Sequence, residues 1–190
     1  RVLAPIFTNG VKAVIATDGG IGKDEAGISG LKHGETIGVP VAAIAAMSAE
    51  TSNGRSTLLG EISRANAQAR AAGVELGMPA YEAAALLAKA PVGQPIPTER
   101  GGEAGAVVVE ETPKGRILAS PGTTAITEQV PNDIVCSGAN SSRVMSDGVL
   151  RMAAKGAIAN DAGIAMNNTA VEGVMLLAEH GVPAASVSTM

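Results

Sequence analysis

Residues Lys12–Lys23 read KAVIATDGGIGK, and Lys155–Met166 read KGAIANDAGIAM. Shifting the chain by 143 positions lays residues 12–47 over 155–190 without a gap, and twelve of the 36 pairs are identical. Among them are Lys12/Lys155, Asp18/Asp161, Gly20/Gly163, Gly30/Gly173, Gly38/Gly181 and Pro40/Pro183. Chance in a chain this rich in Ala and Gly would give about three. The offset is too long for a solenoid period, so a duplicated supersecondary unit is expected.

Both copies follow one local grammar. A short apolar run, Val14-Ile15 or Ala157-Ile158, ends at an Asp-Gly or Asp-Ala turn. Asp24 or Asn167 then stands where a helix N-cap is wanted. The helical segment that follows ends at Gly38 or Gly181, a residue suited to the left-handed position after a helix. Val-Pro leads into a second apolar run, 41–46 or 184–188, and proline is tolerated at a strand start. Strand, helix, strand makes a βαβ unit, parallel and right-handed.

Between the copies, Leu58, Leu59, Ile62, Ala65 and Ala69 recur at helical spacing and predict one helix over 56–72. Pro79 fits the first turn of a helix running to about Ala90. Residues 91–105 form a Pro/Gly-rich connector, and 106–120 read as a β-hairpin turning at Pro113–Gly115. Residues 133–138 read as a buried strand, after which Ser142 caps a helix that turns Val144, Met145, Val149 and Met152 inward. The expected fold class is α/β: a mostly parallel sheet built from two related βαβ units (12–47 and 155–190) with an inserted β-hairpin. The expected divisions are 1–90, 91–132 and 133–190.

Bulk properties narrow the function. With 190 residues, 46% hydrophobic content and a net charge of −4, the chain has the balance of an ordinary soluble protein. No run of 18 apolar residues predicts a membrane span. No secretory signal is seen, and Cys136 is the single cysteine, so a reducing cytoplasm is expected. Mild acidity, with Phe7 and Tyr81 as the only aromatic residues, argues against nucleic acid as a partner. A core without rings buries less area per residue, which predicts a homo-oligomer whose second subunit covers some apolar surface. Arg1 is an unusual start, and the second copy stops at Met190 where the first continues, so the sequence reads as a fragment.

The copies also control one another for chemistry: what they share is what the turn needs, and what differs is free to be function. Asp18 and Asp161 are shared. A carboxylate at a strand end ties down the N–H groups of the following turn. Ligands also sit at the carboxyl ends of parallel strands, where an aspartate serves as acid or base. Gly19, Gly22 and Lys23 become Ala162, Ala165 and Met166, so only the first copy has the flexible backbone and cation that favour an anion before a helix. The plainer alternative is a solvated Lys23, and no Walker or G-x-G-x-x-G motif is present. A second anion loop is Asn53-Gly54 followed by Arg55, Ser56 and Thr57, opposed by the plainer reading of a Ser/Thr cap with an exposed Arg. The third candidate is CSGANSSR at 136–143, with Ser137 as a hydroxyl and Asn140 as a positioning amide. His33 and His180 lie in helical segments, away from the strand-end loops, so a Ser–His or Cys–His dyad is disfavoured. Cys136 reads as a small buried hydrophobe. One Cys and no paired His leave zinc without ligands, and no cofactor is expected.

These residues predict a cofactor-independent enzyme of hydrolase, isomerase or lyase type acting on a small carboxylate-bearing metabolite. Its site would lie at the strand C-terminal edge between the two repeats. Asp18, Asp161 and Ser137 are the expected catalytic groups; Thr17, Gly20, Lys23, Arg55, Ser56, Asn140 and Asn160 would bind substrate. The competing readings are a non-catalytic small-anion binder and an oligomeric assembly protein.

Overall fold

The computed structural model describes residues 10–95 and 105–189. The chain divides into two compact units, residues 1–101 and 102–189. Of the expected connector, 96–104 lie outside the described residues. The fold is α/β, with open sheets of three and five strands and the larger one mostly parallel.

Unit 1 opens with the expected βαβ. Strand β1 (Val14–Thr17) pairs in parallel with β2 (Val41–Ile44), from Val14 opposite Val41 to Thr17 opposite Ile44. A 3₁₀ turn at Lys23–Ile28 and helix α1 (Ser29–Thr36) make the crossover. Asp24 does not cap that helix. It is left-handed at φ 54°, as is Asn167 at 57°, and the helices start five residues later. Gly34 lets α1 lie close on the sheet, because a Cβ there would sit 2.3 Å from Val41 Cγ2.

The helix expected over 56–72 is instead helix, strand and helix: α2 (Gly54–Leu59), β3 (Ile62–Ala65) and α3 (Ala67–Ala71). Two features break it. Gly60 passes so close to β2 that a Cβ would meet Ile44 Cγ2 at 2.7 Å. Asn66 then caps α3, accepting from Ala69 N–H at 3.0 Å, and locks the start of β2. Its Oδ1 also accepts from Val41 N–H (3.0 Å), while Nδ2 donates to the Val39 carbonyl (2.8 Å). Ile62, Ala65 and Ala69 do share a buried face, but a strand and a helix supply it together; Leu58 and Leu59 are exposed. β3 runs antiparallel to β2, giving the order β1-β2-β3. Helix α4 (Ala80–Leu87) follows Pro79, which stands at its N-cap. Both faces of β2 are thus clothed. Ala42 and Ile44 meet Ile62, Ala69 and Leu87, whereas Val41 meets Leu31 and Ile37.

Unit 2 begins with the expected hairpin, β4 (Val107–Thr112) and β5 (Gly115–Ser120), turning at Pro113-Lys114. Gly115, at φ 130°, is required there because a Cβ would meet the Asn132 carbonyl at 1.9 Å. Strands β6 (Ile134–Asn140), β7 (Gly156–Asn160) and β8 (Ala184–Val187) then add in parallel, in sequential order. Right-handed crossovers between sequential parallel neighbours all fall on one face. There, α5 (Arg143–Arg151), α6 (Glu172–Glu179) and the 121–133 connection cover Leu118, Val135, Ala157 and Ala159. Met145, Val149 and Met152 point inward as expected, but Val144 is exposed. The alternate row, Ala119, Cys136, Ile158 and Ala185 in register, faces the other way. Cys136 is therefore half-buried rather than enclosed. No helix among the described residues is long and apolar enough to cross a membrane.

Candidate functional site

The repeat holds down to individual hydrogen bonds. Asp18, buried at the end of β1, accepts through Oδ1 from Gly20 N–H (3.0 Å) and Ala46 N–H (2.9 Å). Asp161, buried at the end of β7, accepts through Oδ1 from Gly163 N–H (3.1 Å) and Thr189 N–H (3.0 Å). Gly163 and Thr189 are the 143-shifted counterparts of Gly20 and Ala46. Each carboxylate ties its own turn to the chain leaving the neighbouring strand. Oδ2 of Asp18 accepts from the Ser63 hydroxyl (2.8 Å), and Oδ1 of Asp161 from the Thr189 hydroxyl (2.6 Å). Burial pushes the Asp161 carboxyl up. The donors outweigh it, namely the Thr189 hydroxyl, the Gly163 and Thr189 N–H groups and the Ser188 hydroxyl, and hold it below the ordinary carboxylate range. Nothing in the sequence marked Ser63, which reaches Asp18 from a strand that the helical pattern had concealed.

The following loops have one backbone conformation. Gly19, Gly20, Ile21 and Gly22 hold φ of 56°, 73°, 69° and 70°. Ala162, Gly163, Ile164 and Ala165 hold 43°, 74°, 70° and 62°. Alanine at 162 and 165 thus holds the same positive φ as glycine at 19 and 22, at a cost in strain. Several N–H groups that could meet an anion are committed to the turn. Ile21 N–H donates to the Asp18 carbonyl (2.8 Å), Gly22 N–H to Gly20 (2.8 Å) and Gly27 N–H to Ile21 (2.7 Å). Lys23 stands exposed beyond them, and Thr17 is exposed at the end of β1. Arg55 is also exposed, in α2. Ser56 closes its own loop, with its N–H on Asn53 Oδ1 (3.1 Å) and its hydroxyl accepting from Glu50 N–H (2.9 Å).

In unit 2 the carboxyl edge of the sheet brings Ser137, Asn140 and Asn160 together. Cys136 is opposite Ile158, yet Asn140 is opposite Asn160, so four steps of β6 span two of β7. This bulge takes Ser137, Gly138 and Ala139 out of register with β7, while Ser137 stays opposite Ser120 of β5. Asn160 pins it, with Nδ2 donating to the Gly138 carbonyl (2.9 Å) and Oδ1 accepting from Ala162 N–H (3.1 Å). Ser137 Oγ accepts from Ala139 N–H (3.2 Å), leaving its proton to donate. Asn140 Oδ1 accepts from Ser142 N–H (3.3 Å), leaving its NH₂ to donate. Ser142 occupies the expected N-cap of α5, but its hydroxyl makes no capping bond. Ser141 is buried, donating to the Asn160 carbonyl (3.0 Å) and lying 2.9 Å from Ser186 Oγ. The arrangement offers neutral donors beside a helix N-terminus, the local chemistry of an anion contact. Sequence alone did not show the bulge, because three small residues carry no periodic mark.

His180 Nδ1 lies 2.8 Å from the Leu176 carbonyl one turn back, and His33 lies within α1. Among the described residues no cluster of three or more His, Cys, Asp or Glu side chains is placed to hold a metal ion. Compared with known proteins, the chain matches no family model, no curated protein and no solved structure.

Proposed function

We propose that the protein binds a small carboxylate-bearing metabolite at the carboxyl edge of the five-stranded sheet, on Ser137, Asn140 and the start of α5. The β6 bulge carries this reading. A regular ladder would spend these backbone groups on pairing and aim the side chains at the two faces of the sheet. The bulge instead takes Ser137 out of pairing with β7 close to Asn140, and the Ser137 hydroxyl and the Asn140 NH₂ keep donors to spare. Lys23 and Arg55, with Thr17, Gly20 and Ser56, make a weaker anion contact in unit 1, because the turn already uses the N–H groups beside them.

Binding without turnover is favoured over the hydrolase, isomerase or lyase reading. Asp18 and Asp161 are each occupied by hydrogen bonds to their own turn. The hydrogen-bond partner of Ser137 is a backbone N–H, not a base. Assembly with further copies is a second reading, favoured by the outward apolar row that includes Ile158, 38% exposed.

A thermal-shift series with mono- and dicarboxylates and inorganic phosphate tests the proposal. Ligand at a hundred times its Kd adds about 2.7 kcal/mol, a shift of a few degrees. The shift should disappear in both Ser137→Ala and Asn140→Ala and survive in Lys23→Ala. A shift retained in the first two variants and lost in the third would move the site to unit 1. No shift with any carboxylate, in a particle whose mass is a multiple of the chain, would favour assembly.

A further inference from the structure

The two units share a template, and each shows how the other's counterpart elements are covered. Strand β8 is the 143-shifted counterpart of β2, with Ala184–Val187 lying over Val41–Ile44. All four residues of β2 are buried, whereas Val187 of β8 is 56% exposed. The difference is the neighbour. β2 lies between β1 and β3, while among the described residues β8 pairs with β7 alone.

Hydrogen bonding shows which groups are left open. Ala157 N–H donates to the Pro183 carbonyl and Asp161 N–H to that of Val187, as Val14 donates to Pro40 and Asp18 to Ile44. Ala184 and Ser186 therefore point their backbone groups away from β7, as Val41 and Ala43 point theirs toward β3. In unit 1, Asn66 takes Val41 at both N–H and C=O, and Ala45 N–H donates to the Glu61 carbonyl. The same segment covers a face as well as an edge. Ala42 and Ile44, counterparts of Ala185 and Val187, are packed under Ile62, Ala69 and Leu87.

The far edge of the sheet is guarded and this one is not. β4 carries Glu110 and Glu111 and a register break between Val108 and Glu110. β8, AASV, has no charge, no internal proline and no bulge, the devices that keep an edge strand from pairing.

We propose that the open edge of β8 is the docking site for a strand-and-helix segment with the chemistry of residues 60–90, its strand running antiparallel to Ala184–Val187. The segment places an apolar residue opposite Val187 and a small one opposite Ala185, as Ile62 and Ala65 do for Ile44 and Ala42. An asparagine follows, whose amide takes Ala184 N–H and the Val182 carbonyl, the counterparts of Val41 and Val39. Main-chain pairing supplies affinity and the alternate side chains supply selectivity.

The probe is a synthetic peptide of residues 60–90 added to the whole chain, read by amide hydrogen exchange at Ala184 and Ser186. Exchange at both should slow by about tenfold, the value for a site nine-tenths occupied. The same peptide carrying Asn66→Ala should protect neither. Ser186→Pro removes an N–H that faces away from β7 and should abolish the effect. Val187→Lys places a charge on the covered face and should weaken it should the proline variant not fold. No protection by the wild-type peptide overturns the proposal. So do equal protection by both peptides and protection without peptide in a particle of doubled mass, the last assigning the edge to a second copy.

Discussion

Ala165 holds φ 62° and ψ 169°, a region that is essentially glycine's own, and its counterpart Gly22 holds 70° and 171°. The strain at Ala165 is about 2 kcal/mol. Against it stand a buried methyl group worth about 0.8 kcal/mol and the smaller unfolded-state entropy of alanine, worth about 0.5 kcal/mol. Ala165→Gly should therefore raise stability by about 0.5 kcal/mol and Gly22→Ala lower it by about 1 kcal/mol, as read from urea midpoints. Asp18 is a different case, because its role is accepting hydrogen bonds. Asp18→Ala strands the Gly20 and Ala46 N–H groups and leaves the Ser63 hydroxyl only the Ala43 carbonyl, at a cost of about 3 kcal/mol. Carboxylate binding in unit 2 should survive that change, and loss of binding with the fold intact would give the aspartate a direct part in the site.

Among the elements, Asn66 decides where a helix stops being one. Asn66→Ala removes an acceptor for two N–H groups and a donor to Val39, and should cost about 3 kcal/mol in urea unfolding. The contrast between what the sequence showed and what it concealed follows from this residue. The βαβ units and the hairpin were legible because they repeat or carry turn chemistry: Gly38 and Gly181 both hold φ 72°, and Gly115 closes the hairpin. β3 was not legible. Ile62, Ala65 and Ala69 fall at helical spacing because a strand and a helix happen to face one core. Asp24 and Asn167 looked like caps because caps and left-handed turns prefer the same residue types. At the candidate site, the aspartates, Ser137, Asn140 and Asn160 could be named in advance. The bulge that gathers the last three could not, because register depends on pairing between distant segments.

At the scale of the molecule, two carboxyls of unit 2, Asp133 and Asp161, give the fold acid sensitivity. Arg116 donates to Asp133 from its backbone N–H (2.8 Å), Nε (3.0 Å) and Nη2 (2.6 Å), linking β5 to the start of β6. The guanidinium outweighs burial and holds the Asp133 carboxyl below its ordinary 3.8. At Asp161 burial opposes the same direction, and the Thr189 hydroxyl and the surrounding N–H groups prevail. A carboxyl whose folded-state pKa is depressed stabilises the fold fully once the pH lies above the ordinary value. That stability is lost as the pH falls from there through the folded-state values. Urea midpoints should decline below about pH 4, and the decline should flatten in Asp133→Asn and Asp161→Asn.

Among the described residues of unit 2 the five-stranded sheet is clothed on one face, which has a calorimetric consequence. The heat capacity gained on unfolding follows the apolar area newly exposed to water. A strand whose outward row already meets solvent has less of that area left to expose than one enclosed on both faces. Scanning calorimetry should therefore return a heat capacity change below the usual value of about 12–15 cal/mol/K per residue. Its curve of stability against temperature is then shallow, and the protein loses little by cooling.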